Sequence, residues 1–282
     1  MIAFAGNSLL CRAALGQTGI DAASFTTIRL LSGALALWLI VRAKSGGMSG
    51  ATGGANHDPT GATTARGSWP SALALFAYAA GFSFAYLSLP AGTGALLLFG
   101  AVQVTMIGHG LRAGERLTKL QIIGMMLASG GLIVLLLPGV SAPPVGGSLL
   151  MLGAGAAWGV YSLRGRGAGD PTQVTAGNFV RALPFALLLS ALLFRDANLA
   201  MSGVLYAIAS GAVASGIGYA IWYTALPALQ AAQAATVQLS VPVIAALGGI
   251  VLLGESMTPR LAIAAVAILG GIALVIRRKK SR

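Results

Sequence analysis

Apolar runs of about 20 residues, separated by brief polar turns, recur along this whole 282-residue chain. A helix of that length covers the roughly 30 Å hydrocarbon core of a bilayer. Inside that core every backbone N–H and C=O must be bonded within its own segment, which such helices achieve. The fold expected is therefore all-α and polytopic. Composition agrees, with 56% of residues apolar, 9% charged and a mean hydropathy of +0.84. A soluble domain carries about 25% charged residues.

Ten spans are expected, at 1–15, 22–42, 69–89, 92–112, 118–137, 145–163, 172–194, 201–224, 229–253 and 259–277. The first is short, since about 15 residues rise only ~22 Å. It reads as truncated at its start, or thin, or tilted. A cleavable signal peptide is not expected, because no charged region precedes the apolar run. Connections are short except for residues 43–68, rich in Gly, Thr and Ala and containing Asn56-His57-Asp58-Pro59. That stretch lacks apolar periodicity and reads as a flexible cytoplasmic loop, with His57 solvated.

The net charge of +12 does not indicate a nucleic-acid partner. The basic residues lie in short loops and at the C-terminus, where they orient a membrane protein. Placing the C-terminus in the cytoplasm puts thirteen of them inside, among them Arg42, Arg112, Arg164 and Arg277, against Arg12, Arg195 and Arg260 outside. Both termini are then cytoplasmic. One cysteine, Cys11, excludes a disulfide framework and a cysteine metal site. No metal or cofactor is called for.

The chain also repeats itself. Arg12 and Arg164 are 152 residues apart, as are Arg29 and Arg181. Glu115 and Glu255 are 140 apart, and the same offset pairs Thr118 with Thr258 and Gly130-Gly131 with Gly270-Gly271. Between these blocks, Tyr86-Leu87-Ser88-Leu89-Pro90 is similar to Tyr223-Thr224-Ala225-Leu226-Pro227. Residues 1–140 and 141–282 are thus expected to be two five-helix repeats. An odd number of helices per repeat forces opposite orientations, and inverted repeats commonly enclose a solute site near the midplane.

This pattern resembles the drug/metabolite transporter superfamily, EamA type. An arginine early in the second helix of each repeat and a Gly-Glu-x-x-Thr turn before the fifth carry the likeness over essentially the whole chain. Within that family it is most similar to the YddG-type amino-acid exporters. The resemblance implies ten helices, a central cavity and export without ATP, from a bacterial inner membrane. The family often has a proline midway along the fourth and ninth helices. Pro242 supplies the second, and Val102 stands in place of the first.

The six acids, Asp21, Asp58, Glu115, Asp170, Asp196 and Glu255, all fall in loops or at helix ends. Proton-coupled pumps need an ionisable group inside the membrane, and no carboxylate is placed there. Glu115 and Glu255 read as turn-fixing groups. Thr118 with Gln121 forms a capping box, and Thr258 before Pro259 forms an N-cap with proline at the first helical position. Arg29 and Arg181 are the deepest charges. They are read as structural or gating residues that snorkel or bridge carbonyls, although a substrate carboxylate is another possible partner. His109, near the inner end of the fourth helix, is a gating candidate, as is Pro242.

The expected solute site is lined by Asn7, Tyr78, Phe82, Gln103, Trp158, Tyr161, Tyr219, Trp222 and Gln238. Amides are costly in lipid and should face the interior. Aromatic rings at helical spacing offer apolar faces with polar tips. The competing explanation, an interfacial aromatic belt, suits Tyr86 and Tyr223 at helix ends. Helices five and ten, with their Gly-Gly pairs, read as scaffold. The function expected is secondary transport of small organic solutes, foremost amino acids with aromatic or hydrophobic side chains, by a monomer or weak homodimer. The alternative is a membrane scaffold or flippase-like subunit that needs a partner. An intramembrane serine hydrolase at Ser215-Gly216 is disfavoured, since no histidine follows to act as base.

Overall fold

The computed structural model describes residues 1–48, 67–112, 118–137, 142–165, 170–225, 238 and 240–276. The regular structure among these residues is helical, with α1 at Ile2–Gln17, α2 at Ala22–Met48, α3 at Trp69–Tyr86, α4 at Ala91–Arg112 and α5 at Lys119–Leu136. They continue with α6 at Val145–Arg164, α7 at Pro171–Leu192, α8 at Met201–Ala225, α9 at Ser240–Leu253 and α10 at Pro259–Ile276. Four of them, over Ala22–Ala43, Ala91–Arg112, Pro171–Leu192 and Met201–Ala225, are long and apolar enough by themselves to cross a bilayer.

The helices begin where local chemistry provides caps. Asp21 accepts from the Ser24 amide at 2.8 Å, and Asp170 accepts from Gln173 at the same distance. Each satisfies an orphan N–H of a first turn. Thr118 and Gln121 complete the expected capping box, and Thr258 accepts from the Leu261 amide at 3.2 Å. α3 stops at Tyr86, three residues earlier than expected. Leu87–Leu89 turn tightly instead, because Pro90 cannot extend a helix that precedes it. Within α8, Ala209–Ile217 winds as a π-helix, which the sequence pattern did not suggest.

Packing joins distant parts of the chain. α5 lies along α10 and α2 along α7; α3 packs on α6 and α7, and α4 on α6 and α9. α1 packs against α8 and α9, and α2 against α8. The α5–α10 seam depends on small residues. A Cβ at Gly131 would sit 2.8 Å from Ala267 Cβ, and one at Gly271 would meet the Gly124 carbonyl and the Ala128 backbone. The preceding glycines, Gly130 and Gly270, face open space.

Hydrogen bonds tie the helix ends into two layers. In one, Asp21 accepts from the Asn198 amide at 2.9 Å, joining the α1–α2 and α7–α8 turns. In the same layer Arg260 donates to the Leu137 carbonyl. In the other, Arg164 donates to Ser71 at 3.0 Å, and the Ser68 amide donates to Asn178 at 2.9 Å. Between these layers the outer surface is apolar, with Trp38, Ile133, Leu188, Leu205, Val251 and Val266 exposed. Contiguous exposure on that scale suits lipid and not water.

Glu255 organises the first layer. Gly254 ends α9 with φ +67°, and the Glu255 amide donates back to the Gly249 carbonyl at 3.0 Å, so the chain closes on the last turns of α9. The carboxylate thereby reaches the first amide of α4, Ala91, at 2.8 and 3.0 Å, and Arg12 at 3.2 Å. Arg12 in turn donates to the Tyr86 carbonyl at 3.0 Å. One carboxylate thus holds the ends of α1, α3, α4 and α9, favoured by the positive end of α4. Its expected counterpart Glu115 lies outside the described residues, as do His57, Asp58 and most of the 43–68 loop.

Candidate functional site

A cavity lies where helices from both halves of the chain meet. It is lined by Phe4, Asn7 and Ser8 of α1, Tyr78 and Phe82 of α3, Leu98 and Phe99 of α4, Trp158 of α6 and Tyr219 of α8. Its free volume is about 10 Å³, room for about one water.

Five of the nine expected lining residues, Asn7, Tyr78, Phe82, Trp158 and Tyr219, border this cavity. Trp222 is one ring away, 5.9 Å from Phe4, and Tyr161 lies 5.6 Å from Trp158. Gln103 is buried one helical turn beyond Phe99, and its Nε2 has no partner among the described residues. Gln238 is also buried. Phe4 escaped the sequence reading, although it meets Trp158, Tyr219 and Trp222 edge-on at 5.6–5.9 Å. Its signal was available, since Phe4, Asn7 and Ser8 share one face of α1 at i, i+3 and i+4.

The aromatic rings form a continuous file. Tyr86, Phe82, Tyr78, Trp158, Tyr161 and Tyr223 contact one another in that order, with centroids 4.7–5.8 Å apart. The file runs from the α3–α4 end of the bundle past the cavity towards the opposite end. Tyr86 and Tyr223 are both buried members of it, so the interfacial-belt reading of these two is corrected. Burial wins because the ends of α3 and α8 pack inside the bundle, with Tyr86 donating to the Ala91 carbonyl at 3.3 Å.

Polar groups at the centre are supplied largely by the π-segment of α8. Ser210 donates to Asn7 Oδ1 at 2.5 Å, and Asn7 Nδ2 donates to the Tyr78 hydroxyl at 3.2 Å. Arg29 Nε donates to Ser215 Oγ at 3.2 Å, while Nη2 donates to Tyr78 at 3.1 Å and Tyr219 at 3.5 Å. The guanidinium also lies 5.2 Å from the Tyr78 ring and 5.0 Å from the Phe82 ring. Ser215 thus serves as an acceptor for a cation. π-turns shift the register of a helix and cluster at functional sites, and here one aims Ser210 and Ser215 at two different helices.

The two arginines expected to be equivalent are not. Arg29 is 1% exposed. Arg181 is half-buried and donates to the Gly177 carbonyl one turn back on its own helix. Asn178 stands eight residues beyond the cap Asp170, as Arg29 stands eight beyond Asp21. Asn178 is buried and donates to the Tyr161 hydroxyl at 3.5 Å. His109 is exposed in the last turn of α4, away from the cavity, and Pro242 is buried near the start of described α9.

An apolar-surfaced helical bundle with a polar and aromatic centre is an integral membrane protein. Comparison with known proteins places it further. The EamA-like transporter family matches residues 145–277. An uncharacterised protein of Pseudomonas aeruginosa is 58% identical over 92% of this chain and 85% of its own length. The threonine/homoserine exporter RhtA of Escherichia coli is 33% identical over 49% of this chain and 48% of that exporter. A "probable amino-acid metabolite efflux pump" of Salmonella typhimurium is 28% identical over 60% of this chain and 62% of that protein. A solved crystal structure with 21% identity superposes at a TM-score of 0.64, covering 97% of this chain and 96% of the other, and shares its fold. The chain belongs to the EamA-like transporters of the drug/metabolite transporter superfamily, a family of small-solute transporters and not of enzymes.

Proposed function

We propose that the protein exports amino acids and related metabolites by alternating exposure of the central cavity, without ATP. The observation that carries this reading is the cavity itself. Its walls come from α1, α3 and α4 on one side and from α6 and α8 on the other, and combine aromatic faces with Asn7 and tyrosine hydroxyls. A small zwitterion with an apolar side chain needs both kinds of contact. The names of the Escherichia coli and Salmonella relatives support amino acids as the substrate class.

The reading includes ten crossings arranged as two inverted repeats. Helix packing supports it: exchanging each helix with the one five places on maps α3–α6 onto α1–α8, α4–α6 onto α1–α9 and α3–α7 onto α2–α8, all of which are packed pairs. α2–α7 and α5–α10 map onto themselves. Such pseudo-symmetry gives a bundle two related ways to open. With Arg42, Arg112, Lys119 and Arg164 at one end, that end and both termini are cytoplasmic.

Purified protein in liposomes provides the test. A gradient of threonine or phenylalanine alone should drive flux, with no imposed proton gradient. Asn7→Ala and Trp158→Ala should cut the flux about tenfold while Ile123→Ala, on the exposed face of α5, leaves it unchanged. Absence of flux for every amino acid tested, or flux only under an imposed pH gradient, would overturn the proposal.

A further inference from the structure

Arg29 is a buried cation without a buried anion. Among the described residues the single ion pair is Arg12–Glu255 at the bundle's end, and no carboxylate approaches Arg29. A charge at this depth is rare in a membrane protein unless it is paired or has a function. The hydrogen-bond inventory is lopsided in the same direction. A guanidinium offers five N–H groups and accepts nothing. Nε and Nη2 are satisfied by Ser215, Tyr78 and Tyr219, while Nη1 has no partner among the described residues.

The tyrosines extend this surplus into the cavity. The Tyr78 oxygen already accepts from Asn7 and Arg29, so its remaining capacity is to donate. Tyr219 accepts from the same Nη2. The Nη1 protons remain unanswered among the described residues. Asn7 presents its Nδ2 to Tyr78 and turns its Oδ1 to Ser210, so it donates to this cluster and does not accept from it. Both tyrosines line the cavity, with Arg29 directly behind them.

We propose that Arg29 is the anchor for the carboxylate of the transported solute, acting through Nη1 and through the Tyr78 and Tyr219 hydroxyls that it holds. The proposal rests on the exporter reading above and narrows it. The solute must carry a carboxylate, and its side chain lies against Phe4, Phe82 and Trp158. Arg29 therefore acts in binding and not merely in structure, unlike Arg181. Because Arg181 is only half-buried and donates to the Gly177 carbonyl of its own helix, the anchor belongs to the first half alone. A planar guanidinium matches a carboxylate with two parallel hydrogen bonds, which a lysine cannot reproduce.

The test is thermal stabilisation of the purified protein in detergent by threonine and phenylalanine, by their amides and decarboxylated amines, and by chloride and phosphate. The amino acids should stabilise the parent protein, and the amides and amines should bind about 30-fold more weakly or worse. Arg29→Gln should abolish the difference between acid and amide, and Arg29→Lys should restore it only partly. The parent's own preference for acid over amide is informative even if Arg29→Gln does not fold. Equal binding of acid and amide by the parent, unchanged acid binding by Arg29→Gln, or stabilisation by chloride or phosphate matching that of the amino acids overturns the anchor. If the acids bind through Arg29 but no amino acid crosses a liposome membrane, the exporter reading falls and the carboxylate anchor stands.

Discussion

Replacing Gly211 by alanine is expected to disable the protein from within a helix crossing. Gly211 lies in the π-segment of α8, directly against α2. A Cβ built there falls on the Arg29 carbonyl oxygen and Ser32 Oγ, and lies 2.8 Å from the Arg29 carbonyl carbon. Ordinary contacts of this kind are about 3.5 Å. Two of the three obstructing atoms are backbone, so no rotamer change relieves the clash, and α2 must retreat by about an ångström. Overpacking on this scale costs about 1–3 kcal/mol, against up to about 1 kcal/mol gained by removing a glycine from a helix. A net loss of about 2 kcal/mol corresponds to roughly 5 °C in melting temperature for a chain of this size. The same retreat stretches the 3.2 Å bond from Arg29 to Ser215, so flux should fall with stability. Gly270→Ala, whose new methyl meets nothing within 4 Å, is the matched control. Both variants would be melted in detergent and assayed in liposomes. If Gly211→Ala melts with the parent and transports normally, α2 and α8 do not cross as described.

Three further outcomes are expected. Glu255→Ala should lower stability by about 1–3 kcal/mol, because it strips the Ala91 amide and Arg12 of their acceptor; Glu255→Gln should recover part of this, as read by thermal melting. Partial burial raises the pKa of Asp21, but amides of Ser24, Asn198 and Ala23 outweigh it and hold the carboxyl below its ordinary value. Its contribution to stability is therefore full above about pH 4 and is lost as pH falls further; Asp21→Asn should flatten the acid limb of a melting-temperature-against-pH curve, and an unchanged limb would remove Asp21 from the account. Reporter fusions after Arg112 and after Ala197 should read cytoplasmic and external respectively, and the reverse would invert the proposed orientation.

Much of the fold was legible because membrane insertion is decided one segment at a time. Each apolar run must bond its own backbone, so its length and its flanking caps reveal the helix without reference to any neighbour. Thr118 and Thr258 were legible as local starts and cap as their side chains dictate, and the structure adds Asp21 and Asp170, which cap α2 and α7 in the same way. The expectation that amides face inward rests on the same cost, and Asn7, Gln103 and Gln238 are all buried.

What the sequence could not reveal was which face of each helix meets protein and which meets lipid. Hydrocarbon tails are as apolar as leucine, so a membrane helix lacks the polar stripe that marks the outside of a soluble one. For that reason Tyr86 and Tyr223 passed for interfacial residues, and Arg29 and Arg181 passed for equivalents. Packing alone separates them: α2 is enclosed by α7 and α8, whereas the guanidinium of Arg181 turns to its own backbone. The meeting of Asn7 with Ser210, 203 positions apart, and of Arg29 with Ser215, 186 apart, is likewise a tertiary decision. It depends on a π-turn whose register no local propensity announces and whose extra residue is stabilised only by the helices around it. The sequence by itself determined that this chain crosses a membrane many times. The packing of α8 against α1 and α2 decided where the buried cation Arg29 would stand.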